Sequence, residues 1–288
     1  MAYEISSSIV LRKMAGAFLR RRFKTMLGYM RYFLYGRPAI MADQQSSILE
    51  LLINQGLPLD KYTFNQLLCR KPLIIQFADG TRFAVEDLED FYHASMCYEP
   101  KTLTFVLRSI MDGGVFVDVG ANIGGYTIRA AKKARVYALE PHPRNFQLLA
   151  FNVKLNNRQN NVKALRVAAA SYVGKAKLAV SNYHGRHSLL ESRSQMEPKS
   201  HLTIEVDVTT LDSILVEEDH IDVIKIDVEG AEPLVLKGAE DALKRTKIVI
   251  IESTLPSSFY NASKILVKKS FKPQIKFESE NNVAFIRT

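Results

Sequence analysis

Apolar side chains recur along residues 11–34 at steps of three or four, a spacing that predicts a helix with one apolar face. Arg20, Lys24 and Arg31 fall on the opposite side of that helix. The apolar series is Leu11, Met14, Phe18, Leu19, Phe23, Met26, Leu27, Met30, Phe33 and Leu34. Gly and Pro at 36–38 end this helix, and residues 43–70 read as two further short helices separated by Gly56-Leu57-Pro58.

A β-hairpin is predicted next. Two short apolar runs, residues 73–77 and 81–85, flank Asp79-Gly80, and this pair supplies the positive φ that a tight turn requires. From residue 87 to about 111 the pattern is helical, and it ends at Asp112-Gly113-Gly114.

Beyond Gly114 the pattern changes to strands that alternate with helices. Short apolar runs rich in β-branched residues indicate parallel strands buried on both faces. These runs cover residues 115–119, 136–140, 162–167, 221–227 and 248–252. A βαβα series predicts an α/β fold with a doubly wound sheet, in which ligands bind beyond the carboxyl ends of the strands. Asp118, Glu140, Asp227 and Glu252 stand at those ends.

The composition excludes disorder and fibrous repeats, because 47% of the 288 residues are hydrophobic. Two cysteines, Cys69 and Cys97, are too few for a disulfide framework or a cysteine zinc site. A reducing compartment is therefore expected, with a cytoplasmic location. The net charge of +9 is concentrated in residues 1–40, which hold eight basic residues and one acid, so the other 248 residues carry only +2.

This basic arm has three interpretations. It packs on its own protein or on a second subunit, it lies through residues 9–35 in the interface of an anionic membrane, peripheral at the inner face, or it contacts a nucleic-acid backbone. Its arginines interrupt every apolar run well short of the ~20 residues that cross a bilayer, so a membrane span is not expected. The arm by itself does not decide the function.

A glycine-rich turn joins the first strand of the series to the next helix, at residues 118–125 (DVGANIGG). Glycines there let the backbone turn tightly and approach a ligand. Glu140 follows about 20 residues later, the spacing at which an acid accepts hydrogen bonds from ribose hydroxyls. Asp118 would repel a pyrophosphate but suits a cation. S-adenosylmethionine, with a sulfonium and an ammonium, therefore fits better than NAD.

Five successive motifs make the interpretation specific. They are residues 116–127 (FVDVGANIGGYT), 140–143 (EPHP), 206–212 (VDVTTLD), 221–232 (IDVIKIDVEGAE) and 236–239 (LKGA). In order and spacing this set resembles the FkbM family of S-adenosylmethionine-dependent methyltransferases, from about Val115 to Glu252. The resemblance implies a Rossmann-like seven-stranded domain, S-adenosyl-L-methionine as cofactor, and O-methylation of a hydroxyl on a sugar, glycan or lipid-linked saccharide.

The resemblance also implies site residues. Gly120, Ala121 and Asn122 would face the amino-acid part of the cofactor, Asp118 its ammonium, Glu140 its ribose, and Ala169 and Ser171, at the end of the third strand, its adenine. The full cofactor set is Asp118, Gly120, Ala121, Asn122, Gly124, Glu140, Pro141, Ala169, Ser171 and Asp227. Asp227, Glu229 and Gly230 would form the floor between cofactor and acceptor.

For the acceptor we expect Asp227 as general base or orienting group, with Glu229 supporting. Their side chains start toward opposite sides of a strand end, so only one faces the acceptor unless the chain turns there. The alternative is that both acids cap the next helix. Clustered carboxylates also suit a hard cation, but no histidine spacing supports a metal and none is predicted. His187, in a polar loop over residues 181–201, is a further candidate base.

The sequence thus predicts an arm over residues 1–40, a helical and β-hairpin extension over 41–100 and a methyltransferase domain over 101–288. Two functions compete with sugar O-methylation. A tRNA or RNA methyltransferase is permitted by the basic arm, although no aromatic-basic platform for RNA is evident, so nucleic acid is not the expected partner. A non-catalytic adenosine-binding membrane adaptor would keep the fold without turnover.

Overall fold

The structure, a computed structural model, describes residues 39–40, 72–181, 187–189 and 202–288. The basic arm and the two short helices predicted over 43–70 lie outside these residues and stay predictions. The chain divides into two compact units, Met1–Tyr98 and Glu99–Thr288.

In the first unit the structure describes an antiparallel sheet and one helix. The strands are β1 (Ala39–Ile40), β2 (Leu73–Gln76) and β3 (Arg82–Val85). The predicted hairpin is present, since β2 pairs antiparallel with β3 and Gly80 in the connecting turn has a φ of 80°. Phe83, Ala84 and Val85 of β3 are buried.

The helical pattern predicted from residue 87 to about 111 is not one continuous helix in the structure. The structure has two helices instead, α1 (Leu88–Ala94) and α2 (Pro100–Ser109). Pro100 has no N–H, and its ring would clash with the preceding turn of a continuous helix, so it takes the first position of α2. Glu99 precedes it with a left-handed φ of 45°.

The second unit alternates strands and helices. Its strands are β4 (Val115–Val119), β5 (Arg135–Leu139), β6 (Val162–Leu165), β7 (Ala168–Ala169), β8 (Gly174–Ala179), β9 (Thr203–Thr209), β10 (Ile221–Ile226), β11 (Thr246–Glu252), β12 (Phe271–Phe277) and β13 (Asn282–Arg287). Its further helices are α3 (Thr127–Ala130), α4 (Pro143–Leu155), α5 (Leu211–Ile214), α6 (Glu232–Lys237), α7 (Glu240–Lys244) and α8 (Pro256–Lys268).

Seven strands form the central sheet, in the order β12-β13-β11-β10-β4-β5-β6. The pairs from β11 to β6 are parallel, and β13 pairs antiparallel with both β11 and β12. The strand order reverses between β4 and β10, because β5 and β6 follow on one side and β11 on the other. This is the Rossmann-like seven-stranded fold that the sequence predicts, and such a reversal is where ligands bind in open α/β sheets.

The core explains why the strands are apolar throughout. Every residue of β4 and of β10 is buried, as both faces of a sheet covered by helices require. β10 holds two ionisable residues, Asp222 and Lys225, and Lys225 is 2% exposed. A buried lysine needs a carboxylate partner, and Asp227 follows the end of this strand.

A smaller sheet, in the order β7-β9-β8, was not predicted. The predicted strand 162–167 ends at Leu165, and Ala168–Ala169 belongs to this second sheet, parallel to β9. Among the helices of the described residues, none combines the length and the apolar character that a membrane span requires.

Candidate active site

The acids singled out in the sequence stand at one edge of the central sheet. Asp118 lies near the end of β4, Glu140 follows β5, Asp227 follows β10, and Glu252 is the last residue of β11. These strands are parallel, so their carboxyl ends share an edge. We call the surroundings of Asp118 and Glu140 the β4–β5 side, and those of Asp227 and Glu252 the β10–β11 side.

A tight turn leaves the end of β4. Gly120 has a φ of 85°, and a Cβ added to it would lie 1.9 Å from the backbone oxygen of Asp227. The backbone N–H groups of Gly120 and Ala121 both donate to the oxygen of Leu139, at 2.9 Å. Gly124 further along has a φ of 96°. The turn therefore passes between the ends of β5 and β10 with no room for a side chain at Gly120.

Glu140 fastens this turn to the end of β5. Its Oε2 accepts from the backbone N–H of Asn122, and its Oε1 from that of His142, both at 2.9 Å. Burial raises the pKa of Glu140 to about 7, although the two N–H donors favour the ionised form. Each carboxylate oxygen has two lone pairs, so Glu140 can also accept from a ligand hydroxyl. Pro141, partly buried, follows it directly.

Asp118 is more deeply placed. Its side chain is 2% exposed and accepts a hydrogen bond from Thr127 Oγ1 at 2.6 Å. Burial raises the pKa of Asp118, against the influence of Lys225 and of the Thr127 hydroxyl. The carboxyl thus lies beneath the first residue of α3. Its contact with a cofactor ammonium stays a prediction.

Three features of the β4–β5 side fit S-adenosylmethionine. The glycine turn leads the chain across the carboxyl ends of β4 and β5, the edge where ligands bind in such sheets. Asn122, with a φ of 50°, has a buried Oδ1 that meets no hydrogen-bond donor among the described residues. Asp118 and Glu140 add carboxylates. These acceptors suit a ligand that carries an ammonium, a sulfonium and ribose hydroxyls, and with Ala121 they are the residues that would hold it.

The β10–β11 side is organised around a buried ammonium. Lys225 Nζ lies 2.7 Å from Asp227 Oδ2 and 3.6 Å from Glu99 Oε2. Burial alone would lower the pKa of Lys225, but the nearby carboxylates Asp227, Glu99 and Asp118 outweigh it and raise that pKa. Lys225 is therefore charged at neutral pH and holds the Asp227 carboxylate in place.

Glu99 is a site residue that the sequence reasoning missed. Its Oε2 accepts from the hydroxyl of Tyr126 and its Oε1 from Nδ2 of Asn282, both at 2.7 Å. Lys225 Nζ also lies 4.8 Å from the centre of the Tyr126 ring. Burial raises the pKa of Glu99, and Lys225 opposes that shift. Glu99 thereby ties the start of α2 to β10 and β13.

The chain turns sharply after β10. Glu229 has a φ of 55° and Gly230 a φ of 104°, so side chains that would alternate along a strand converge. Carboxyl oxygens of Asp227, Glu229 and Glu252 lie within 4.8 Å of one another. Because the chain turns here, the carboxyl groups of Asp227 and Glu229 face the same side. The residue at the N-cap position of α6 is Ala231, so neither acid occupies it.

This carboxyl trio, Asp227, Glu229 and Glu252, differs in exposure and protonation. The side chain of Asp227 is 15% exposed, whereas Glu229 is 7% exposed, so Asp227 is the more accessible. Burial, and next the charge of Asp227, raise the pKa of Glu252 to about 8. Oxygen donors at this spacing suit a hard cation. We assign no metal to the trio.

The described residues of the polar loop contact both the β4–β5 side and the β10–β11 side of the site. The rings of His187 and His142 stack with centroids 4.0 Å apart, and Ser188 Oγ donates to the backbone oxygen of Glu229 at 2.8 Å. Nδ1 of His187 accepts from the backbone N–H of Ser181 at 3.2 Å, which places the proton of the neutral ring on Nε2. That tautomer offers no lone pair at Nε2 for a general base.

Two predicted cofactor residues lie elsewhere than expected. Their placement at the end of the third strand is wrong, because β6 ends at Leu165. Ala169 is 3% exposed and packs in the main core, and Ser171 is exposed beyond β7. Their contact with adenine stays a prediction.

Fold and site together define a Rossmann-like S-adenosylmethionine-dependent methyltransferase. The profile of the methyltransferase FkbM domain matches residues 118–277, more than half of the chain. The chain belongs to the FkbM methyltransferase family.

Two curated methyltransferases are similar in sequence to this chain. Hexuronic acid methyltransferase AglP of Haloferax volcanii is 30% identical over 190 residues, covering 64% of this chain and 74% of the relative. Methyltransferase sdnD of Sordaria araneosa is 29% identical over 172 residues, covering 49% of this chain and 66% of the relative. Among solved structures, methyltransferase FkbM from Methylobacillus flagellatus is 15% identical, covers 85% of this chain and 71% of its own, and has a TM-score of 0.45.

Proposed function

We propose that this enzyme methylates a hydroxyl of a sugar, glycan or lipid-linked saccharide. The observation that carries the proposal is the 30% identity to a protein named hexuronic acid methyltransferase, over 64% of this chain. A hydroxyl acceptor also suits a site whose accessible ionisable group is a carboxylate. Such a group takes a proton from a hydroxyl as the new bond forms.

Asp227 is the general base of this proposal. It is the more exposed of the two predicted acids, it directly follows β10, and the Lys225 ammonium 2.7 Å from its Oδ2 favours the ionised form. When bound, S-adenosylmethionine supplies a methyl group on a positively charged sulfur. The acceptor oxygen forms the new bond to carbon, the carbon–sulfur electron pair stays on sulfur, and the hydroxyl proton passes to Asp227.

We assign Glu229 and His187 structural roles in the site and no part in the proton transfer. The strained backbone of Glu229 at φ 55° aims the loop after β10, and Ser188 holds that backbone at its carbonyl oxygen. His187 covers His142 and so lies over the loop that carries Glu140. With its Nδ1 already accepting a hydrogen bond, His187 is assigned to closing the site instead of to proton transfer.

The test is methyl transfer from methyl-labelled S-adenosylmethionine to four matched fractions: a hexuronic acid glycoside, a neutral hexose glycoside, a lipid-linked saccharide and tRNA. Label in one or more saccharide fractions, and none in tRNA, is the expected result. Label in tRNA alone would replace the proposal with RNA methylation. Cofactor binding by calorimetry without label in any fraction would identify a non-catalytic binding protein.

The basic arm gives the proposed location. We place residues 9–35 at an anionic membrane surface on the cytoplasmic side, on the basis of the +7 charge of residues 1–40 and their apolar periodicity. Full-length protein should sediment with vesicles that contain anionic lipid, and a chain that lacks residues 1–36 should not. Equal sedimentation of both chains would reject the placement.

A further inference from the structure

The turn after β10 adopts a backbone conformation that a glutamate disfavours. Glu229 has a φ of 55°, in the left-handed region, where the Cβ of an L-residue is crowded by its own backbone. A backbone of this kind persists only where surrounding contacts hold it. The same turn brings a carboxyl oxygen of Glu229 within 4.8 Å of carboxyl oxygens of Asp227 and Glu252. Contacts that hold the turn therefore also hold this arrangement of acids.

One peptide unit of the turn is bonded at both of its polar groups. Its carbonyl oxygen, from Glu229, accepts from Ser188 Oγ at 2.8 Å. Its N–H, from Gly230, donates to Glu232 Oε1 at 2.9 Å. The carbonyl and the N–H of a peptide lie in one plane and point in opposite directions, so these two bonds together oppose rotation of the plane. That rotation is the motion that would change the ψ of Glu229 and the φ of Gly230.

A side chain from α8 completes these contacts. The hydroxyl of Ser258, in the first turn of α8, donates to the backbone oxygen of Gly230 at 3.0 Å and also to Glu232 Oε2. Glu232 is 2% exposed and Ser258 is 7% exposed, so both side chains are shielded from water. A buried hydrogen bond is costly to lose, because the remaining partner is left unsatisfied. We call Glu232 and Ser258 the turn clamp.

We propose that the turn clamp positions the acids of the β10–β11 side for methyl transfer, by holding the peptide between Glu229 and Gly230 in its observed plane. This role rests on the proposed hydroxyl acceptor with Asp227 as its base. Glu232 and Ser258 act through the backbone of the turn, so they are positioning residues. Without the clamp, the backbone of Glu229 can leave the left-handed region, and its carboxyl then moves relative to that of Asp227.

A matched pair of substitutions at Glu232 separates the hydrogen bonds of the clamp from its charge. In Glu232→Gln, the amide oxygen can accept from the N–H of Gly230, and the amide nitrogen can donate to Ser258, whose hydroxyl still donates to the oxygen of Gly230. Glu232→Met keeps a side chain of similar length but offers no oxygen to either donor. We therefore expect Glu232→Gln to keep the clamp and Glu232→Met to lose it.

The first measurement needs neither cofactor nor acceptor. Amide hydrogen exchange at Gly230 is followed by NMR in the full-length wild type and in both Glu232 variants. Exchange should be about tenfold faster in Glu232→Met than in the wild type, which is the worth of one hydrogen bond, and Glu232→Gln should exchange as the wild type does. Equal exchange in all three proteins overturns the proposal, whatever the acceptor proves to be.

The second measurement connects the clamp to the chemistry. With the saccharide fraction that accepts label, kcat should fall by about 10–10²-fold in Glu232→Met and in Ser258→Ala, since small displacements of reacting groups have effects of this size. The dissociation constant of S-adenosylmethionine should not change. A wild-type kcat in Glu232→Met, or a kcat equally low in Glu232→Gln, overturns the positioning role. A wild type that methylates no saccharide would reject the proposed function, and with it the role in transfer, while exchange at Gly230 would still show the clamp.

Thr246→Val is the matched control for lost stability. Thr246 begins β11, at the end of that strand away from Glu252, and its Oγ1 donates to the backbone oxygen of Ala242 at 2.7 Å. It is 1% exposed, so this variant also loses a buried hydrogen bond, and urea unfolding should show a loss comparable to that in Ser258→Ala. Its kcat should equal that of the wild type. A fall in kcat as large as in Ser258→Ala would overturn the positioning role, because kcat would then follow stability alone.

Discussion

The β4–β5 side and the β10–β11 side of the site are both built from acids at strand ends, but their partners differ. On the β4–β5 side, Glu140 accepts from two backbone N–H groups and Asp118 from the hydroxyl of Thr127. On the β10–β11 side, three carboxyls face one another, and the buried Lys225 bonds to one of them, Asp227. The N–H and O–H donors of the β4–β5 side hold its carboxyls in fixed positions. The carboxyls of the β10–β11 side repel one another, so their protonation changes when a ligand binds. One side is suited to binding and the other to proton transfer.

The largest expected effect is on the β10–β11 side. Asp227→Asn should lower the methyl transfer rate by about 10²–10⁴-fold, the usual contribution of a general base. The fold should persist, because the amide keeps the shape of the carboxylate. The rate is measured with labelled cofactor at saturation. A variant that transfers methyl at the wild-type rate would remove Asp227 from the chemistry.

Gly120→Ala should break the contact between the two sides. The added Cβ would lie 1.9 Å from the backbone oxygen of Asp227, and the φ of 85° disfavours any side chain. We expect a free energy of unfolding lower by about 3 kcal/mol or more, and cofactor binding weaker than calorimetry can detect.

Gly80→Ala is the control for this substitution. Gly80 has nearly the same φ, 80°, but nothing lies within 4 Å of an added Cβ. It should lose only the strain of the left-handed backbone, about 1–2 kcal/mol by urea unfolding. Equal losses in both variants would show that the close approach to Asp227 is unimportant.

Glu140→Gln tests the role of the β4–β5 side in cofactor binding. Loss of a charged acceptor should weaken cofactor binding about tenfold or more. Because the pKa of Glu140 is about 7 and the ionised form is the better acceptor, wild-type affinity should rise between pH 6 and 8. The variant should show no such rise. Affinity that is independent of pH in the wild type would contradict the ribose role.

The last effect is on stability and depends on pH. The folded pKa of Glu252 is raised to about 8, so its stabilising contribution is complete below the unfolded value of 4.5 and is lost as pH rises to about 8. Glu252→Gln should therefore match the wild type near pH 4.5 and become the more stable protein toward pH 8, by at most about 1.4 kcal/mol per pH unit. Urea unfolding at pH 5 and at pH 8 measures it. A difference that shrinks with pH would contradict the raised pKa.

The sheet and the acids at its edge were predictable because parallel strands buried on both faces leave unbroken apolar runs, and the acids end them. Residues 136–140 and 248–252 are examples. The smaller sheet was not predictable in the same way, since β8 (Gly174–Ala179) is largely exposed and carries two lysines among small residues.

The charge network could be predicted only in part. Lys225 inside a buried strand signals a carboxylate partner, but Glu99 is 126 positions earlier in the chain and precedes the residues that match the family. Convergence of Glu229 on Asp227 depends on the left-handed backbone of Glu229 and Gly230. Sequence periodicity assumes a regular strand and therefore placed these two acids on opposite sides.

The division of labour between the two sides is tested most directly by the dissociation constant of S-adenosylmethionine, measured by calorimetry at pH 7.5 for wild type, Asp227→Asn and Glu140→Gln. A wild-type constant in Asp227→Asn, together with one about tenfold weaker in Glu140→Gln, is the predicted result. Equal weakening in both variants would contradict the account, because the β10–β11 side would then serve binding as much as the β4–β5 side does.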